Sequence, residues 1–108
     1  MPRAPRPRSK VIADISIYPI GAGTSLGRFV REAYVALEGS RGVRLAPSAM
    51  STVIEADSLD TLFAAVKRAH DALEGMGAQR IAIHLRIDHR LDKSETIEYK
   101  VRRITGEA

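Results

Sequence analysis

The chain has 108 residues, 44% of them hydrophobic, which suits one domain with a modest core and leaves too little for a second. It has no cysteine, which excludes a disulfide framework and thiolate chemistry and fits a reducing, cytoplasmic setting. Lysine and arginine number 17 against 13 acids, but Arg3, Arg6, Arg8 and Lys10 all lie in the acid-free start MPRAPRPRSK, so residues 11–108 are electrically balanced. That start alternates proline with arginine and has nothing to bury. It reads as a disordered basic tail over residues 1–10, ahead of a single domain over 11–108. A balanced domain argues against nucleic acid as its partner. No apolar run approaches the roughly 18 residues of a membrane span, which argues against a membrane partner.

Val11, Ala13, Ile15 and Ile17 alternate with Ile12, Asp14, Ser16 and Tyr18, the period of a strand that Pro19 closes. The turn that follows carries Gly21, Gly23 and Gly27. This spacing is one residue longer than a dinucleotide-binding G-x-G-x-x-G, and no Gly-Lys-Ser/Thr follows, so the glycines are read as permitting a tight turn. A helix over 25–39 comes next, capped by Thr24 or Ser25, with Leu26, Phe29, Val30, Ala33 and Leu37 at helical spacing. VRLAP (43–47) and STVIEA (51–56) form a hairpin. Asp57 or Ser58 caps a second helix with Leu59, Leu62, Phe63, Val66, Ala69 and Leu73 on one face, ended by Gly75 and Gly77.

RIAIHLRIDHR (80–90) alternates again, with Ile81, Ile83, Leu85 and Ile87 on one side and Ala82, His84, Arg86 and Asp88 on the other. Asp92 with Glu95, or Ser94, starts a terminal helix carrying Ile97, Val101 and Ile104, with Glu98 positioned to pair with Arg102. The order βαββαβ predicts an α+β, ferredoxin-like sandwich with an antiparallel sheet and an extra C-terminal helix. Its helices cover one sheet face. The other face holds Ile12, Asp14, Ser16, Tyr18, His84, Arg86 and Asp88, and is either solvated or pressed against another subunit.

Four stretches, ADISIYPIGAGTSLGRFV, AMSTVIEAD, KRAHDAL and RIDHRLDKSETIEYKV, together resemble the small thiamine-binding protein family of ferredoxin-like domains. The resemblance spans about Val11 to Ile104 and implies a dimer or tetramer that binds thiamine or its hydroxymethylpyrimidine portion, with no catalytic activity, metal or further cofactor. The positions it carries over as ligand-binding are Ser16, Pro19, Gly21, Gly23, Thr52, Glu55, Arg86, Asp88 and Arg90. Ser51 stands where members commonly have glycine. A positive φ or a ligand contact there would make the serine strain the turn or narrow the pocket.

Thiamine joins a cationic thiazolium to an aminopyrimidine, so its site wants a carboxylate, a donor–acceptor pair and an apolar or aromatic wall. Glu55 or Asp14 could supply the charge, Ser16 or Thr52 the hydrogen bonds, and Tyr18 or Phe29 the wall. Each has a plainer alternative: Glu55 solvated or paired with an arginine, Asp14 paired with Arg86, Phe29 in the core. Competing chemistries find less support. His84 and His89 are five residues apart on a strand and point to opposite faces, His70 sits at the edge of an apolar helix face, and no Ser–His–Asp order stands out. An RNA-associated module using the basic arm, or a purely structural or regulatory oligomer, are the alternatives the fold allows.

Overall fold

The computed structural model describes residues 9–107, so most of the basic tail lies outside the described residues. Ser9 and Lys10 are fastened to the domain. The Ser9 hydroxyl is 3.0 Å from His89 Nε2, the Lys10 amide donates to Ser94 Oγ at 3.0 Å, and Lys10 Nζ pairs with Asp57 at 2.6 Å. From there the elements run β1 (Val11–Pro19), α1 (Gly27–Glu38), β2 (Val43–Pro47), β3 (Thr52–Ala56), α2 (Leu59–Gly75), β4 (Ile81–Asp88) and α3 (Ile97–Thr105). The strands form one sheet in the order β2-β3-β1-β4 with every neighbour antiparallel, the ferredoxin-like arrangement anticipated from the element order.

Strand periodicity sorts the side chains. Val11, Ala13, Ile15 and Ile17 of β1 and Ile54 and Ala56 of β3 face α1 and α2, where they meet Phe29, Ala33 and Leu37 of α1 and Leu62, Ala65, Ala69 and Leu73 of α2. Phe29 is therefore core and not ligand wall. On α2 Leu62, Ala69 and Leu73 of the expected face are buried and Val66 packs against them, but Ala65 joins the stripe while Leu59 and Phe63 stay exposed, so the buried face is shifted toward Ala65. The small Ala65 and Ala69 let the helix lie close to the sheet, which is a packing constraint and leaves no trace in hydrophobicity.

Several element ends differ from expectation. Pro19 remains in β1, paired with Ile81, because proline is tolerated at a strand end. α1 begins at Gly27 with Leu26 as its cap and no side-chain cap bond, so neither Thr24 nor Ser25 serves there. Ser58 does cap α2, accepting from the Thr61 amide at 3.1 Å. α3 starts only at Ile97, capped by Thr96, which accepts from the Tyr99 amide at 3.1 Å. Asp92 and Glu95 are instead drawn to Arg90, and Glu98 pairs with Arg44 rather than Arg102.

α3 lies on the sheet face opposite α1 and α2. Its Ile97, Val101 and Ile104 line a groove of about 480 Å³ with Ile12, Val53 and Ile87, and Ile12 is thereby buried. The open face is thus divided: the end carrying Ile12 and Asp88 is roofed by α3, and the end carrying Ser16, Tyr18 and His84 is bare. The helix-side core should dominate stability. Leu62→Ala, at a fully buried position, is expected to cost about 2–5 kcal/mol in urea unfolding, with no new exposure of α3 by hydrogen exchange.

Candidate functional site

Strand lengths create the site. β3 ends at Thr52, opposite Ile15, whereas β1 continues through Ser16, Ile17 and Tyr18 to Pro19. Past Thr52, the flank of β1 that faced β3 has no strand beside it. The chain there turns back through residues 48–51, a tight turn in which the Ser48 amide and hydroxyl both donate to the Ser51 carbonyl, at 2.8 and 2.7 Å. The resulting notch is a cleft of about 250 Å³ between the end of β1, Val30 and Tyr34 of α1, and the 48–51 turn.

A second, broader cleft of about 580 Å³ opens on the bare sheet face, lined by Asp14, His84, Arg86 and Ile83. The two clefts share Ser16, Met50 and Ser51. Met50 is 85% exposed and forms the rim. Hydroxyls of Ser16 and Ser51 therefore stand at the junction, with Thr52 on the notch side. Non-glycine residues keep negative φ throughout the described residues, so Ser51 sits without strain. Its side chain lines the junction of the two clefts.

The charges are already matched. Arg86 grips Asp14 through two hydrogen bonds, Nε to Oδ1 at 2.9 Å and Nη2 to Oδ2 at 2.6 Å. That bond, helped by Ser51 and opposed by partial burial, holds the Asp14 carboxyl below the ordinary value of 3.8. Beside the pair, Tyr18 and His84 lay their rings nearly parallel, 15° apart with centroids at 5.8 Å, and the Tyr18 hydroxyl lies 3.1 Å from His84 Nε2.

Not all the expected site residues gather here. Ser16, Thr52 and Arg86 do. Pro19 ends β1 just beyond. Gly21 and Gly23 lie in the exposed turn that follows, each with φ of +87°, and a Cβ at either would meet nothing within 4 Å. Their role there is conformational: only glycine adopts that backbone readily. Thr52 and Glu55 occupy opposite sheet faces, as their partners Ile15 and Ile12 show. Glu55, Asp88 and Arg90 lie at the far, α3-covered end. Asp88 pairs with Lys100 of α3 at 2.6 Å, which lowers its carboxyl, and Arg90 binds Asp92 and Glu95.

Glu55 is only 3% exposed. Its carboxylate accepts from Arg44 Nη1 at 3.1 Å to each oxygen and from the Ile97 amide at 3.0 Å, so it caps the positive end of α3 from beneath. Arg44 then reaches Glu98 on the same helix, at 3.0 and 2.7 Å. The carboxylate's place is structural: it joins β2, β3 and α3. His84 is the site residue that sequence reasoning set aside, and its cross-strand position opposite Ser16 was the signal available. His70, Asp71 and Glu74 are grouped on one side of α2, with His70 Nδ1 at 3.0 Å from Asp71 and both acids exposed. No helix among the described residues is long and apolar enough to cross a membrane.

A ferredoxin-like domain with a two-part cleft between strand edge and sheet face is the class these observations define. The sequence pattern of the family described as thiamine-binding protein matches residues 13–105, and the chain belongs to that family. A UPF0045 protein of Methanocaldococcus jannaschii is 37% identical over 95 residues, which span 88% of this chain and 92% of that protein. One from Synechocystis is 36% identical over 94 residues, 87% of this chain and 76% of its own. Among solved structures, a hypothetical protein of M. jannaschii superposes with a TM-score of 0.79 at 34% identity, covering 92% of this chain and 98% of its own. A candidate thiamine biosynthesis/salvage protein of Thermotoga maritima gives 0.74 at 25% identity, covering 88% and 98%.

Two outcomes are expected. Glu55→Gln should speed hydrogen exchange across α3 while β1 amides keep their protection, at a cost of about 1–3 kcal/mol, discounted because Arg44 is half exposed. For Asp14, a lowered folded pKa means stability that is complete above the unfolded value of 3.8 and lost as pH falls through the folded value. Urea midpoints of the wild type should therefore drop on acidification below pH 3.8 by more than those of Asp14→Asn.

Proposed function

We propose that this protein binds thiamine or its hydroxymethylpyrimidine portion at the junction of the two clefts, as a homo-oligomer and without catalysing a reaction on the ligand. The observation that carries this reading is the meeting of a narrow, mainly apolar notch and a broader cleft holding Asp14 and Arg86 at Ser16 and Ser51. An aminopyrimidine presents a donor–acceptor edge and a flat apolar face, and the junction offers hydroxyls for the first and Tyr18, Val30 and Tyr34 for the second. Membership of the thiamine-binding family points the same way.

The charge pattern refines the chemistry. Glu55 is buried under α3 and Asp14 is held by Arg86, so neither carboxylate named for the thiazolium cation is free to serve it. Recognition then falls on the pyrimidine, which thiamine and hydroxymethylpyrimidine share. Assembly has a natural surface in the groove beside α3, where Val101 and Ile104 project from the helix and Ile104 is 85% exposed.

Calorimetric titration tests the reading. Hydroxymethylpyrimidine and thiamine should bind saturably with dissociation constants within about tenfold of each other, since the extra cation finds no free carboxylate. Ser16→Val should weaken both together, and Ile104→Asp should shift the light-scattering mass toward the monomer. Heat from neither ligand would contradict the assignment.

A further inference from the structure

We infer that Tyr18 and His84 form the stacking surface of this site, and that His84 sets its preference for a planar heteroaromatic ring. The inference rests on the reading of the cleft junction as a pyrimidine site. The two rings come from adjacent strands and are 15° from parallel, but at 5.8 Å between centroids they are offset rather than face to face. The Tyr18 hydroxyl lies 3.1 Å from His84 Nε2, so the two rings hold one another as a near-parallel pair.

Its position matters as much as its shape. Tyr18 lines the notch and His84 lines the open cleft, and Ser16, which borders both, lies opposite His84 in the strand register. A pyrimidine whose edge bonds Ser16 or Ser51 thus has this aromatic pair bordering the same space. The pair also stands on the half of the sheet that α3 leaves bare. His84 is exposed there, with Tyr18 as its aromatic neighbour, so its ring can carry a ligand. Asp14 and Arg86 next to the pair are matched to each other, so neither is a free charge for a ligand to bind, and ring contact is what this surface offers.

The test measures hydroxymethylpyrimidine affinity by calorimetry for the full-length wild type and for His84→Ala and His84→Phe, with thermal unfolding of each. The expected result is a loss of roughly 5- to 150-fold for His84→Ala, the range seen when an aromatic under a nucleobase is removed, and retention within about threefold for His84→Phe. All three proteins should unfold at the same temperature, because His84 is exposed. Equal affinity of wild type and His84→Ala would overturn the stacking role while leaving the binding assignment standing. Equal weakening in both variants would also overturn it, by showing that a ring nitrogen and not the ring face is used. Absence of binding by the wild type would remove the assignment itself and this inference with it.

Discussion

The buried carboxylate of Glu55 organises everything on the open face of the sheet. A carboxylate at 3% exposure is tolerable only with its acceptor capacity filled, and here β2 supplies Arg44 while α3 supplies its first amide. The bond to Ile97 brings the start of α3 down onto the sheet, and Arg44–Glu98 and Lys100–Asp88 then hold the next turn of the helix on either side. Exposed pairs of that kind add little by themselves; the desolvated bond beneath them fixes the position. α3 has no fully buried residue, so polar anchoring takes the place that apolar packing has for α1 and α2.

Where α3 lies determines where a ligand can go. With Ile12 and Val53 roofed, the part of the open face still accessible is the end holding Ser16, Tyr18 and His84. That is also the end at which β3 stops and β1 goes on, so sheet face and strand edge become accessible together. The 48–51 turn closes the far side. Its Ser51 lines the open cleft together with Asp14, and Asp14 is held by Arg86, so an ion pair joins the central strand to the edge strand beside that turn. Asp14 and Arg86 therefore shape the cleft's floor while contributing no net charge to it.

The element order, the sheet faces of the first and last strands and the core role of Phe29 were all legible in the sequence, because they follow from period-two and period-3.6 patterns that local chemistry enforces. The Asp14–Arg86 pairing was legible for the same reason, since both residues alternate onto one face. Thr96 as the α3 cap was not, because Asp92, Glu95 and Ser94 offered equally good local caps and the choice was made by Arg90 and Glu55 from outside the helix. Glu55 illustrates the limit most clearly. Residue type alone suits it to a cationic ligand, and only the register placing it opposite Ile12 and Arg44 shows that the chain's own α3 takes that place. The notch depends on β3 starting only at Thr52, opposite Ile15, while β1 runs on to Pro19, a matter of strand length that periodicity does not encode.

With the ligand at the Ser16–Ser51 junction, and not at the α3-covered end, backbone amide NMR during titration with hydroxymethylpyrimidine should show shifts concentrated at Ser16, Tyr18, Ser51, Thr52 and His84, with Glu55, Ile97 and Lys100 unmoved. Shifts centred on Glu55 and α3, or on the Gly21–Gly23 turn, would contradict this placement.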